Sequence, residues 1–587
     1  MEINMTHKYS DAKNAQILIA LLKAHNIHQI VINPGTTNIA IAGSVQYDPF
    51  FKVFSCVDER HAAYLACGLA AQSGEPVVLS CTGATASRNY FPALTEAFYR
   101  KLPILAVTSM HNLEQAGQLL PQFLDRTVQP KDTVVLSVQC PAVNNSKDFS
   151  ICELNINKAI LALSRNGGGP VHINLETGAN TFTTAKLPSV RAIHRHTIFS
   201  DTWPELTQET KIAVWVGAHN TFTKKQEDTL MRFAATHNAV ILTDCTSKYQ
   251  GPYSLHSALV CSQEGIKSSS EYSQLKPDLL IHIGEICGDY PTDGFLHNIA
   301  PVWRVSPDGE LRDRLGRLTN VFEMPEEVFF GHYAQDKKEI KNNFFKVWSQ
   351  TDNNLRSQYP DLPFSNPWIA KQLNGKLPQN SVLHLGILNS LRSWNYYPAQ
   401  QGVNTACNVG GFGIDGMLST LIGASLADTK KLCFGVLGDL AFFYDLNALG
   451  NRHISNNLRI LLVNNGCGGE FNMYNHPGSQ FGKDTNLFIG AGGHFGKQSK
   501  SLVKHFSEDL GFDYLSACNK EEFTQNAEQF LATKTDKPII FECFTNSEDE
   551  SNALKLLNTI VPDTSLKGQL KKVLPVSVKT LIKKAIE

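Results

Sequence analysis

No uninterrupted apolar run in this sequence approaches the roughly 18 residues that a membrane-spanning helix needs. The 13 Cys form no CxxC pair and no finger-like spacing, which removes the usual zinc and dithiol readings. Net charge is nearly absent: 53 Lys and Arg against 54 Asp and Glu leave −1 at pH 7. The surface as a whole therefore offers nothing to a polyanion, and no nucleic-acid partner is expected. The opening residues "MEINMTHKYSDAK" lack the basic, apolar, then small-residue succession of a secretory signal. Most cysteines lie in apolar or small-residue runs such as "VFSCVDE", "LACGLA" and "KLCFGV". They read as buried reduced thiols, and a cytoplasmic location is expected. Short-period repeats, low-complexity segments and a Ser/His/Asp nucleophile pattern are also missing.

What is present is a long α/β chain. A chain of 587 residues with 42% hydrophobic and 18% charged residues is too long for one core, and three domains is the natural division. In the first, over 1–185, short apolar runs ("QIVIN", "KVFSC", "PVVLSC", "LPILAVTS", "GPVHINLE") alternate with helical stretches. Buried strands feeding crossover helices make a parallel sheet. A polar, Pro-containing stretch, about 186 to 208, reads as a linker. A central α/β domain is expected over 186–345 from "KIAVWVG", "AVILTD" and "DLLIHIGE", and a third over 346–548 from "SVLHLG", "KLCFGVLGD", "LRILLVNN" and "PIIFECF". The expected fold is three doubly wound parallel-sheet α/β domains followed by a basic amphipathic tail, 549–587. In that tail six lysines, from Lys567 to Lys584, are interleaved with Leu, Val and Ile. Such a tail packs on its own domain, or offers a surface to a partner or an anionic membrane.

The chemistry is expected where strands end, since ligands of open α/β sheets sit at the carboxyl ends. Gly438-Asp439 follows one apolar run, and Asn464-Asn465 follows the next, with Asn465 26 residues after Asp439. That distance suits one strand–helix–strand crossover. A Gly lets backbone approach a phosphate, and a carboxylate beside it can hold a hard cation. Mg²⁺ takes oxygen ligands, usually one or two carboxylates together with phosphates. The amide oxygen of Asn465 and the carbonyl of Cys467, in the glycine-rich turn "NNGCGG", would supply two more. Ordinary turns use the same residue types. Glu59 stands at the end of "KVFSC" and opens a small-residue helix, while Asp58 before it is placed to cap that helix.

The chain resembles the thiamine diphosphate enzymes of the 2-oxo-acid decarboxylase and carboligase type. Their pattern is Gly-Asp-Gly, some twenty-five residues, then Asn-Asn; here the third position is Leu440. One branch, the menaquinone-pathway synthase that joins 2-oxoglutarate to isochorismate, shares that departure. "NVGGFGIDGMLST", "GDLAFFYDLNAL", "VINPGTTN" and "VDERHAAYLACGLA" are all similar to its motifs. The resemblance runs through nearly the whole chain, weakest in the central unit and absent from the tail. It makes the first unit pyrimidine-binding and the third diphosphate-binding. Thiamine diphosphate and Mg²⁺ are the implied cofactors, with Asp439, Asn465 and the Cys467 carbonyl as metal ligands. Gly438, Leu440 and Ala441 would line the diphosphate, and Ile414 would wedge between the two rings. The Phe412 carbonyl would accept from the cofactor's amino group, and Glu59 would be the activating acid, sharing a proton with the pyrimidine. Pro34, Gly35, Thr82, Gly413 and Gly468 complete the implied cofactor contacts. The family builds each site from two chains, which implies a homodimer or homotetramer.

The substrate side departs from the branch. Its Ser-Arg after Pro-Gly is here Thr36-Thr37, and the Arg of its Asn-Arg-Gly is here Val409. Val does not replace a bidentate carboxylate partner, so an acceptor other than isochorismate is expected, such as an activated sugar or another secondary metabolite. Substrate-side candidates are Thr36, Gln118 with its neighbours Gln115 and Gln122, Asn389, Ser390, Arg392, Glu470 and Phe471. His111 is a candidate acid–base, and His476 a candidate for shaping specificity. "VWVGAHNT" lacks G-x-G-x-x-G, so no second cofactor is expected in the central unit. The implied activity is decarboxylation of a 2-oxo acid and transfer of the acyl anion equivalent to an acceptor. The alternatives are a plain decarboxylase releasing an aldehyde, and a catalytically idle cofactor-binding paralogue.

Overall fold

The computed structural model describes residues 8–178 and 181–563. Of the expected tail, 549–587, the first residues belong to the helix Ser547–Asn558, which buries Ala553, Leu554 and Leu557, and residues 564–587 lie outside the described residues. The chain divides into two compact units, one of residues 1–197 and 309–323, the other of 198–308 and 324–587.

In the first unit β1 (Gln29–Ile32), β2 (Lys52–Ser55), β3 (Val77–Thr82), β4 (Ile104–Met110), β5 (Leu136–Cys140) and β6 (Val171–Glu176) form one sheet in the order β2-β1-β3-β4-β6-β5. Each adjacent pair is parallel. β3 and β4 are apolar and buried almost throughout, as strands covered by helices on both faces must be. The helix Lys13–Ala24 packs on one face with Ser146–Ala162. The alanine-rich helix Glu59–Ser73 packs on the other, burying Ala62, Ala63, Ala66 and Ala70. The stretch expected as a linker contains β7 (His194–Thr197).

The second unit carries two sheets. β8 (Ile212–Val216), β9 (Ala239–Thr243), β10 (Ser254–His256), β11 (Leu279–Ile283) and β12 (Val302–Val305) lie in the order β10-β9-β8-β11-β12. The chain then returns to the first unit as β13 (Leu318–Glu323), which pairs in parallel with β7. The last sheet comprises β14 (Val382–Leu385), β15 (Asn404–Ala406), β16 (Cys433–Gly438), β17 (Leu458–Asn464), β18 (Asp513–Ala517) and β19 (Ile539–Phe544), ordered β15-β14-β16-β17-β19-β18. That is the strand order of the first sheet repeated, all parallel. The expected α/β class with three parallel sheets is what the structure has. Among the described residues no helix is long and apolar enough to cross a membrane. Ten of the cysteines are buried, Cys287 and Cys407 are half-buried, and Cys518 is exposed.

Candidate active site

In the last sheet the two strand-end motifs meet. β16 and β17 are neighbours in register, Gly438 opposite Val463, so both apolar runs end at one level. Asp439 opens the short helix Asp439–Tyr444 and is 4% exposed. Its carboxylate accepts from the N–H of Leu440 at 2.8 Å and, across the strands, from the N–H of Gly466 at 2.7 Å. Burial pushes its pKa up to about 6, against the pull of those backbone donors. Gly466 has φ +76°, a left-handed turn that suits glycine. Asn465 Oδ1 accepts from Cys467 N–H at 3.2 Å, and Gly468 N–H donates to the Gly490 carbonyl. At Gly469 a Cβ would stand 2.6 Å from Asn465 Nδ2 and 3.2 Å from Asn389 Nδ2, so the loop folds tightly over both amides.

The donor set is hard: a carboxylate, an amide oxygen and backbone oxygen. Among the described residues no three His, Cys, Asp or Glu side chains gather as a metal cluster. A cation here would rest on oxygen ligands from the protein and from a ligand, which fits Mg²⁺ rather than zinc. The buried carboxylate held only by neutral N–H groups is consistent with that fit.

In the loop after β15 Phe412 takes φ +57°, uncommon for a bulky residue, and its ring stands edge-on to Tyr290 at 5.9 Å. Ile414 is half-buried against the core, and a Cβ on Gly413 would have to push the Asp415 carboxylate aside. Leu440 is half-buried and Ala441 buried. Arg392 is not a loose guanidinium. Its two Nη atoms grip Glu470 at 3.0 and 2.9 Å, and one also reaches Asn389 Oδ1 at 3.2 Å. Ser390 is buried and accepts from Asn366 Nδ2 at 3.0 Å. Phe471 is half-buried, edge-on to His476 at 5.3 Å. Val409 is buried, within 3.2 Å of where a Cβ on Gly288 would lie.

The first unit presents a second strand-end cluster. Asn33 and Asn38 tie the "NPGTTN" loop down. Asn33 donates to the Cys56 carbonyl at 2.9 Å and accepts from Tyr90 OH at 2.7 Å. Asn38 donates to the carbonyls of Asn33 and Ser80 and accepts from Ser80 Oγ. After Pro34, Gly35 packs so closely that a Cβ would lie 2.7 Å from Thr82 Cβ. Thr36 opens the one-turn helix Thr36–Asn38. Thr37 Oγ1 bonds Thr82 Oγ1 and donates to the Ser109 carbonyl at 2.7 Å. Glu59 starts the helix Glu59–Ser73, half-buried, with Asn89 Nδ2 at 3.4 Å. Asp58 caps that helix by accepting from His61 N–H, as its position predicts. Among the loop candidates, His111 and Gln122 line a small cavity with Thr37, Thr82 and Arg126. Gln115 and Gln118 are exposed outside its lining.

Sequence reasoning passed over three residues. Arg126, 2% exposed, closes "QFLDR" and looks like a loop charge. Glu542, fully buried, bridges Asn464 Nδ2 and Tyr514 OH at 2.7 Å each; a lone acid inside "PIIFECF" was its signal. Glu550 accepts from Asn366 N–H and Thr545 Oγ1, and burial raises it to about 7.

Residues 12–129 match the family described as "Thiamine pyrophosphate enzyme, N-terminal TPP binding domain". Along its length the chain is similar to enzymes named 2-succinyl-5-enolpyruvyl-6-hydroxy-3-cyclohexene-1-carboxylate synthase. It is 31% identical to that of Bacteroides thetaiotaomicron over 566 residues, covering 93% of this chain and 98% of the relative. Identity is 31% to the Phocaeicola vulgatus enzyme over 572 residues, with 93% and 98% covered. It is 28% to the Flavobacterium johnsoniae enzyme over 561 residues, with 92% and 97% covered. The chain belongs to the thiamine diphosphate-dependent enzyme family. It is an enzyme of the lyase or transferase kind, and thiamine diphosphate is its cofactor.

Proposed function

We propose that this protein is a Mg²⁺-dependent carboligase that decarboxylates a 2-oxo acid and passes the two-electron acyl equivalent to an acceptor. The observation that carries the reading is the bond from Gly466 N–H to Asp439 Oδ2, which draws the ends of β16 and β17 into one oxygen-lined loop. Asp439, Asn465 and the Cys467 carbonyl would hold the cation, and Gly438, Leu440, Ala441 and Gly468 the diphosphate. Phe412, Gly413 and Ile414 would seat the rings. When bound, the cofactor supplies the electron sink that lets a 2-oxo acid lose carbon dioxide. The chain's own part is to fix the cation and exclude water with buried apolar walls. Glu59 would share a proton with the pyrimidine of the bound cofactor, and Pro34, Gly35 and Thr82 would help to hold that ring. A homodimer or homotetramer whose sites draw on two chains, in the cytoplasm, completes the reading.

The relatives are named for making a succinyl-substituted cyclohexene carboxylate. Val409 is buried beside Gly288, and Thr37 is spent on Thr82 and Ser109. Neither offers the cation that a carboxylated acceptor would use, which supports an acceptor other than isochorismate. Arg392 and Glu470, locked to each other, border the metal loop as an ion pair. The test is a panel of 2-oxo acids offered alone and with acceptors, read by mass spectrometry. Carbon dioxide with a ligated product is expected. Aldehyde alone would make the protein a plain decarboxylase, and no turnover an idle paralogue.

A further inference from the structure

The cavity at the carboxyl ends of β3 and β4 holds a cation that the reading above does not use. Arg126 is 2% exposed, and it donates hydrogen bonds to neutral acceptors. Nε and one Nη share Asn174 Oδ1 at 3.3 Å, and the other Nη donates to the Gly83 carbonyl. A guanidinium has five N–H groups, so this one retains two beyond those three bonds. It lies flat over Gly83, where a Cβ would come within 2.4 Å of Nη2. Asp125, the nearest acid in sequence, turns its carboxylate to the N–H and Oγ1 of Thr127, at 2.9 and 2.7 Å. Arg88 lies nearby and donates to the Asp125 carbonyl, adding positive rather than negative charge. Burial lowers the Arg126 pKa to about 10, and Asp125, acting through space without a hydrogen bond to it, offsets only part of that cost.

The second observation is beside it. Ser109 Oγ is fully buried, lines the same cavity and has no hydrogen-bond partner. The inner space is only about 10 Å³, room for one water-sized group and not for a whole molecule. Thr37, Thr82, His111 and Gln122 give the rest of its polar lining, and Met110, Phe123 and Leu124 an apolar side. A guanidinium with free N–H groups, an unpaired hydroxyl and space for one water-sized group match an oxygen of one carboxylate entering from outside. The placement at strand ends is where an open α/β sheet receives ligands.

We infer that Arg126, with Ser109 Oγ, is the subsite that takes a carboxylate of the substrate. The inference rests on the carboligase reading for the word substrate, but the anion site stands on its own geometry. In that role Arg126 binds and orients, and it moves no proton.

The experiment titrates pyruvate, 2-oxoglutarate and methyl pyruvate into the full-length protein and into Arg126→Gln. Binding is followed by ligand-detected NMR, with thiamine diphosphate affinity measured in parallel. At least one of the two acids is expected to bind the parent, and to bind Arg126→Gln tenfold or more weakly. Methyl pyruvate, which lacks the carboxylate, and the cofactor should be indifferent to the change. Equal affinity of the acids for parent and variant overturns the subsite, as does a parent that binds neither acid. If Arg126→Gln does not fold, Arg126→Lys decides: it keeps the charge and loses the fork, so acid binding should fall at least threefold at an unchanged melting temperature. Parental acid affinity in Arg126→Lys overturns the proposal. Failure of the parent to bind thiamine diphosphate would strike the functional reading instead, and the acid titration would still report on Arg126.

Discussion

Removing the buried carboxylate of Glu542 should damage the metal loop from behind. Glu542 touches neither Asp439 nor Asn465 through any hydrogen bond. It holds Asn464 Nδ2 and Tyr514 OH at 2.7 Å each, and Asn464 Oδ1 in turn accepts from Gly466 N–H at 3.2 Å. Gly466 N–H is the donor that reaches Asp439. Glu542→Ala strands the buried Asn464 amide and the half-buried Tyr514 phenol, at about 1–3 kcal/mol for the first and the low end of that range for the second, so about 2–4 kcal/mol together. Glu542→Gln keeps one acceptor and opposes one donor with another, so it should cost about half as much. Outer partners of metal ligands typically carry 10–100-fold in metal affinity, and Mg²⁺ binding in the presence of cofactor should fall by about that factor in the Ala variant. Thermal unfolding and a Mg²⁺ titration read the two effects separately. An Ala variant with parental melting temperature and parental Mg²⁺ affinity would refute the buttress argument.

Other consequences are open to direct measurement. Glu59→Gln should slow C2 proton exchange of bound thiamine diphosphate by about 100-fold or more without loosening the cofactor; equal exchange rates would remove Glu59 from activation. Glu470→Ala should destabilise by about 2–5 kcal/mol, because it leaves the Arg392 guanidinium without its counter-ion. The double variant with Arg392→Met should recover part of that loss in urea denaturation. Burial raises the pKa values of Glu550 and Asp289 to about 7, so between the ordinary carboxyl range and pH 7 the folded chain binds more protons than the unfolded one. Stability of the metal-free protein should therefore fall as pH rises through that window, by a few kcal/mol, and Glu550→Gln should flatten the slope of melting temperature against pH.

The parts of this fold that could be read from sequence are those where one local signal decides. Apolar runs ending in Gly-Asp and Asn-Asn mark strand ends, and β16 and β17 stop at those residues. The capping role of Asp58 follows from its place before a helix. The likeness in rhythm between the first and last units is a shared strand order. What stayed hidden depends on distant partners. β7 looks like linker because its partner β13 lies more than a hundred residues on. Arg392 reads as available until Glu470 is seen to meet it from another loop. Arg126 and Glu542 look like an ordinary surface charge and a strand oddity, since burial belongs to the fold rather than to the local pattern. Exposed Gln118 and half-buried Glu59 are the converse, residues whose expected work needs a bound molecule or a second chain.

The central claim is that the loop joining Asp439 to Asn465 grips a divalent cation and through it the coenzyme. Extensively dialysed protein should bind thiamine diphosphate in isothermal titration when Mg²⁺ is present, weakly or not at all in EDTA, and Asp439→Asn should lose at least tenfold with Mg²⁺ restored. Binding that ignores both Mg²⁺ and Asp439, or no binding under any condition, would contradict the account.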